Sequence, residues 1–385
     1  MRKIYLLSLL LISIVIVSNA QEHNSYYQSI VDNIDFEILN QNLETHVGFG
    51  SKQPGTDALV NSFNWLKNSY ENWGYTDIAI DTFAYNGHEC YNLIVTKTGV
   101  KYPDEYLIVD GHYDTRNGPG ANDNGTGTAI VLECARLLKE LDTDYSIRFI
   151  HFSAEEVGLI GSRHYVDQVV VPEDHNIKLV FNIDAVGGVN GMVNDIIVCE
   201  QDESYPHEND LASSQYTDTL AVLMEMYSEL NTEINYAYAT DYVPFMEEGY
   251  IITGLYEYNE TPYAHSPNDV IENMDLDYFH EVAKGSIAAS LYFSGAHNYT
   301  MLNELTNLHI RVFPNPTSQF VQISNTNDLE ISEVRIYNQN GSLVYADLKN
   351  LNDKIDLQYL SDGLYLMMLT LENNERIVRK INKLN

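Results

Sequence analysis

Apolar residues follow two alternating rhythms along the chain up to about residue 300. Leu59, Phe63, Leu66 and Tyr70 recur at the three- and four-residue spacing that places them on one face of a helix. Ile130, Cys134, Leu137, Leu138 and Leu141 do the same over about residues 126–141, behind a glycine-rich loop that marks the helix start. Between such stretches lie short, nearly continuous apolar runs, Tyr106 to Val109, Ile147 to Phe152, Leu179 to Ile183 and Ile251 to Tyr256. Runs without polar alternation are those of strands covered on both faces. Ile78, Ile80 and Tyr91 to Val95 also read as strands. The alternation predicts an α/β fold with a doubly wound, mostly parallel sheet flanked by helices.

Beyond about Asn303 the texture changes. Phe313-Pro314-Asn315-Pro316 precedes short alternating segments, Phe320 to Ile323, Val334 to Tyr337, Leu343 to Tyr345, Leu364 to Leu369 and Ile377 to Ile381, broken by Asn340-Gly341 and Asp362-Gly363. Period-two alternation with such turn formers predicts a small β-sandwich. At the other end, Arg2 and Lys3 precede an apolar stretch from Ile4 to Val17 and then Ser18-Asn19-Ala20. A basic start, an apolar run and small residues make a cleavable secretory signal. That run is shorter than the ~18 to 20 residues needed to span a bilayer. The expected organisation is a signal peptide over 1–20, an α/β domain over 21–302, and a linker with β-sandwich over 303–385, with no transmembrane segment after cleavage.

Composition narrows the partners. Of 385 residues 44% are hydrophobic, enough for a sizeable core. The 21 basic against 55 acidic side chains give a formal net charge of -34, which repels phosphate backbones and argues against nucleic acid. Spread over loops, this excess reads as a solvated surface. Cys90, Cys134 and Cys199 allow one disulfide and a spare thiol, or three small buried hydrophobes, and their spacing builds no cysteine zinc site.

In a parallel sheet ligands bind beyond the carboxyl ends of the strands. The residues that follow the apolar runs are His112 and Asp114, Glu155 and Glu156, Asp184, and then His265 and Asp269, while Asp123 lies in the glycine-rich loop ahead of the helix. Imidazole mixed with carboxylate suits zinc, with cobalt or manganese as substitutes, whereas calcium takes all-oxygen sets.

These residues carry a resemblance. Gly111-His112-Tyr113-Asp114, Asn122-Asp123-Asn124-Gly125-Thr126-Gly127, Glu155-Glu156-Val157-Gly158-Leu159-Ile160-Gly161-Ser162-Arg163, Asp184 and His265-Ser266-Pro267-Asn268-Asp269 resemble, in order, the M28 family of di-zinc aminopeptidases over about residues 37–297. The resemblance implies two zinc ions per chain, with Asp123 bridging, His112 and Asp184 completing one sphere, and Glu156 and His265 the other. Glu155 would be the general base for water activated between the metals, acting on peptide substrates. Asp114, two residues after His112 and on the same side of an extended segment, is expected to hold its second imidazole nitrogen, and Asp269 to do so for His265, while the resemblance further implies that the Asp123–Asn124 peptide is cis. The chain departs from its relatives at Thr240-Asp241-Tyr242, where many carry histidine after the aspartate. Tyr238 is the candidate to stabilise the oxyanion, His151 and His164 read as structural, and loops such as Met192 to Ser214 are expected to wall the substrate pocket.

Val312-Phe313-Pro314-Asn315-Pro316, Ile336-Tyr337-Asn338-Gln339-Asn340-Gly341, Gly363-Leu364-Tyr365 and the basic end with Arg376, Arg379, Lys380 and Lys383 resemble the sorting domain of the type IX secretion system. That implies handling by its machinery and delivery to the outer-membrane surface or the medium. Alternatives are a single-zinc glutaminyl cyclase, a di-zinc carboxypeptidase or dipeptidase, and an inactive peptidase-fold adhesin. The close spacing of Gly161-Ser162-Arg163 after Glu156 favours the peptidase over the cyclase.

Overall fold

The continuous apolar runs become the centre of an eight-stranded sheet in a computed structural model of the chain, which describes residues 23–297, 310–325, 331–338, 342–347, 354–371 and 376–384. The expected signal peptide, the start of the linker and the Asn340-Gly341 turn lie outside the described residues. The elements run α1 (Ser25–Val31), α2 (Phe36–Gly48), α3 (Asp57–Asn72), β1 (Ile78–Tyr85), β2 (His88–Lys97), β3 (Tyr102–His112), α4 (Gly125–Leu138), β4 (Asp142–Thr143), β5 (Tyr145–Phe152), α5 (Ile160–Tyr165), β6 (Asn176–Ile183), β7 (Ile196–Gln201), α6 (Asp210–Tyr227), β8 (Asn231–Tyr236), α7 (Val243–Glu247), β9 (Ile252–Glu257), α8 (Leu276–Ser294) and β10 (Ala296–His297).

The sheet order is β1-β2-β5-β3-β6-β9-β7-β8. β3 pairs in parallel with β5 and β6, β6 with β9, and β7 with β8. The β1/β2, β2/β5 and β7/β9 pairs are antiparallel. The chain leaves β3 for β5 on one side and returns to β6 on the other, so a crevice opens at the carboxyl end of β3.

Both faces of these strands are covered, which is why their sequences lack polar alternation. Leu107, Val109, Phe149, Leu179 and Phe181 join the larger core under α2, α4, α6 and α8. Their neighbours Ile108, Ile150 and Val180 point to a second core with Tyr165, Val166 and Phe245. Ala129, Ile130, Val131 and Leu132 of α4 are all fully buried. Each large aliphatic of this kind contributes roughly 1.5 to 3 kcal/mol by leaving water, which holds α4 firmly against the sheet. Cys90, Cys134 and Cys199 are buried and unpaired, the second of the two readings open from sequence. Among the described residues no helix is long and apolar enough to cross a membrane.

The described residues divide into two compact units after His297. In the second, β11 (Ile310–Phe313), β12 (Phe320–Asn325) and β15 (Ile355–Asp356) form one antiparallel sheet. A second is built from β14 (Leu343–Asp347), β13 (Ile331–Asn338), β16 (Gly363–Leu371) and β17 (Arg376–Lys383). Val321, Val334, Ile336, Met367, Leu369 and Ile381 form its core.

Candidate metal centre

The carboxyl ends of the central strands bring the predicted residues together. His112 ends β3, and Glu155 and Glu156 follow β5 after Ala154. Asp184 directly follows β6, and His265 lies in the loop after β9. Ala154, Ala185 and His265 have φ of 60, 46 and 57, left-handed values rare for residues with a Cβ, and all three border or belong to the cluster. Asp123 precedes α4. The Asn124 side chain caps that helix at the Gly127 N–H (2.8 Å), accepts from the Ala185 N–H (3.2 Å) and donates to the Ile183 carbonyl (2.9 Å). One side chain therefore fixes the α4 start against the end of β6, and so Asp123 against Asp184. Gly127 is required there, because a Cβ would lie 2.1 Å from the Ile183 carbonyl oxygen. The Asp123–Asn124 peptide is cis, as the resemblance implied.

The donors fall into two groups that share Asp123, one with His112 and Asp184, the other with Glu156 and His265. His112 Nε2 lies 3.4 Å from Asp123 Oδ1 and 3.3 Å from Asp184 Oδ1. His265 Nε2 lies 3.1 Å from Asp123 Oδ2 and 2.9 Å from Glu156 Oε2. His112 Nε2, Asp184 Oδ1 and Glu156 Oε1 are buried without a hydrogen-bond partner. Buried polar atoms are seldom left unpaired, so orphaned donors converging in this way fit divalent cations between them. Glu155 Oε2 is 3.7 Å from His112 Nε2, beside both groups and a member of neither.

Two supporting residues act differently from expectation. His112 Nδ1 bonds the Asp114 backbone carbonyl at 3.0 Å, and the Asp114 carboxylate is 3.7 Å away. That carboxylate accepts instead from the N–H groups of Glu155 (3.1 Å) and Glu156 (3.3 Å), which the left-handed Ala154 turns towards it. Asp269 likewise accepts from the backbone of Asn122 (2.8 Å) and Asp123 (3.1 Å), holding the loop rather than His265. His151 bonds the Tyr70 hydroxyl and His164 bonds Asp81, in keeping with structural roles.

Burial pushes the Glu155 carboxyl well above the ordinary carboxylate range; His112 opposes the shift while Asp241, Asp184 and Asp114 add to it. Burial also pushes Glu156 up to about 8. Asp123 moves the other way: burial opposes it, but the facing His112 and His265 imidazoles hold it below the usual range.

A cavity of about 230 Å³ opens over the cluster. Its walls come from Arg116, the 238–242 segment, Tyr256 and Ala264, and only Glu200 comes from the Met192 to Ser214 stretch expected to supply them. Part of that stretch forms β7 and the start of α6, and its exposed Met192, Val193 and Tyr205 lie outside the cavity lining. Tyr238 stands on the wall, 77% exposed. Sequence reasoning missed Thr240, whose hydroxyl donates to Asp184 Oδ2 at 2.7 Å, and Asp241, fully buried with both oxygens unpaired. Burial pushes the Asp241 carboxyl up to about 7. The departure at Thr240-Asp241-Tyr242 was the available sign.

Residues 92–290 match the model of peptidase family M28, and residues 311–383 match the secretion system C-terminal sorting domain. The chain is 33% identical over 217 residues to aminopeptidase YwaD of Bacillus subtilis, a match covering 54% of this chain and 46% of that one, so it spans about half the length of that relative. The LapA aminopeptidase of Legionella pneumophila superposes with a TM-score of 0.61 at 22% identity, covering 71% of this chain and 75% of the other. A Bacteroides thetaiotaomicron glutaminyl cyclase superposes with a TM-score of 0.55 at 18% identity over 66% and 97%. These two likenesses show the fold alone.

Proposed function

The chain belongs to peptidase family M28 and carries a type IX secretion sorting domain that directs it to the cell surface or beyond, and from that premise we propose a two-zinc aminopeptidase acting on peptides. The division of Asp123 between two imidazole-carboxylate pairs carries this reading. His112 and Asp184 would hold one zinc ion, Glu156 and His265 the other, and Asp123 both. Bound zinc would supply Lewis acidity towards the scissile carbonyl and acidify water. Glu155 then accepts the proton from the attacking water on its carboxylate and returns it to the leaving amine. Burial raises its proton affinity, which favours holding the proton between the two steps. Asp114 keeps the two glutamates oriented through their N–H groups, and Thr240 orients Asp184.

Zinc content by mass spectrometry, with release of N-terminal residues from free and N-blocked peptides, tests this. Two zinc ions per chain and chelator-sensitive turnover of free peptides only are expected. One zinc ion with cyclisation of N-terminal glutamine would point to the cyclase, and trimming of blocked peptides from the C-terminus to a carboxypeptidase.

A further inference from the structure

Tyr242 stands where the resemblance expects histidine, and its buried hydroxyl donates to Glu200 Oε2 at 2.8 Å while accepting from the Tyr238 N–H. Gly254, the partner of Glu200 on β9, makes room for both, since a Cβ there would lie 2.9 Å from the Tyr242 ring and 3.0 Å from Glu200 Oε2. Glu200 is 4% exposed, yet it lines the cavity over the metal centre. Among the described residues its Oε1 has no hydrogen-bond partner. The buried carboxylate of Glu257, by contrast, has both oxygens engaged: Oε2 accepts from Asn122 and Gly188, and Oε1 from Thr261. Glu200 Oε1 is left facing the cavity, open to water or to a bound cation.

Its place in the sheet indicates what that donor is. Asp184 follows Ile183, which pairs with Leu255 on one side of β9, and Glu200 pairs with Gly254 on the other. The two backbones are therefore two strand spacings apart, about 10 Å. A substrate residue whose carbonyl is held at the centre would send its side chain across this floor. The Glu200 carboxylate leans over Gly254, so the cationic end of a side chain crossing this floor meets it, whereas an aliphatic end offers it nothing to bond. A second hollow of about 370 Å³ shares Glu200, Tyr238 and Tyr256 with this cavity and is also lined by Tyr236, Glu233 and Glu260. Aromatic faces with carboxylates suit a cation.

We propose that Glu200 is the specificity-determining residue of the aminopeptidase inferred above, holding the ammonium or guanidinium of an N-terminal lysine or arginine side chain, with Tyr242 as its positioning residue. This rests on the aminopeptidase reading. Burial pushes the Glu200 carboxyl up to about 8 against the pull of the Tyr242 hydrogen bond, and a bound cation reverses that shift.

The test compares lysyl and norleucyl para-nitroanilides, which share a carbon stem and differ in the terminal charge. In zinc-loaded wild type the lysyl substrate has the higher kcat/KM. Glu200→Gln lowers the lysyl-to-norleucyl ratio about tenfold or more, the usual weight of a hydrogen bond to a charged group, and Tyr242→Phe lowers it less. An unchanged ratio overturns the proposal, even if both rates fall together, because a packing role or contact with the α-amine affects both substrates alike. Calorimetry on wild type with lysinamide and norleucinamide needs no variant: tighter lysinamide is expected, and equal affinities overturn the assignment. An enzyme that turns over neither substrate refutes the aminopeptidase reading, and calorimetry then decides the subsite alone.

Discussion

Glu155 and Glu156 share one backbone turn and differ in company: Glu156 lies against His265, and Glu155 stands apart from both donor groups. Glu155→Gln keeps the shape and removes the proposed proton acceptor. We expect kcat to fall by roughly 10²- to 10⁴-fold with zinc content unchanged, and loss of zinc in this variant would refute the role as base. Lys52 is a second residue whose surroundings define its task. Fully buried, its Nζ donates to the carbonyls of His46 (3.2 Å), Gly50 (2.9 Å) and Pro119 (2.6 Å), joining the end of α2 to the loop that leads to Asp123. Lys52→Met leaves three acceptors without their donor. A loss of about 3 kcal/mol in urea unfolding is expected; no change would mean that water replaces the ammonium.

At the scale of elements, the start of α4 controls the spacing of the site. Gly127→Ala drives a methyl group into the Ile183 carbonyl, and either the helix or the end of β6 must move. We expect destabilisation of roughly 1 to 3 kcal/mol together with weaker zinc retention on dialysis. Gly48, which ends α2 where an added Cβ would meet nothing within 4 Å, is the control: Gly48→Ala should leave both unchanged or slightly raise stability. The central strands were legible in the sequence because burial on both faces leaves their runs largely apolar, with only isolated polar residues such as His151 and Asn182. The cluster was legible because its donors lie at the carboxyl ends of such strands, in the loops that leave them, or at the start of a helix. Glu200 was not: within Ile196–Gln201 it reads as an ordinary polar strand position, and its burial depends on Tyr242, more than forty residues later. The roles of Asp114 and Asp269 escaped for a related reason, since spacing puts a carboxylate near an imidazole but does not reveal a backbone N–H that competes for it.

For the whole molecule, buried carboxyls tie stability to pH. Burial pushes Glu200 up to about 8 and Glu257 up to about 7, from an ordinary value of 4.5. The fold therefore keeps protons that the unfolded chain has already released. This contribution is complete below about pH 4.5 and is lost as pH rises through about 7 to 8. The thermal midpoint of zinc-stripped protein should fall between about pH 5 and pH 8.5, with a shallower fall in Glu200→Gln; an equally steep fall would show that Glu200 is ionised in the fold. The net charge of -34 adds self-repulsion in the same direction, so the variant rather than the slope alone is the test.

The three unpaired cysteines have a consequence for life outside the cell. Sulfur reacts as an accessible thiolate, and here all three side chains are shielded from water, with burial pushing Cys134 up to about 12 and Cys199 upward as well. A chain addressed to the surface thus meets its redox surroundings with nothing to exchange. Its melting curve should be the same in reduced and in oxidised glutathione, and its durability there belongs to the packed core rather than to any covalent staple.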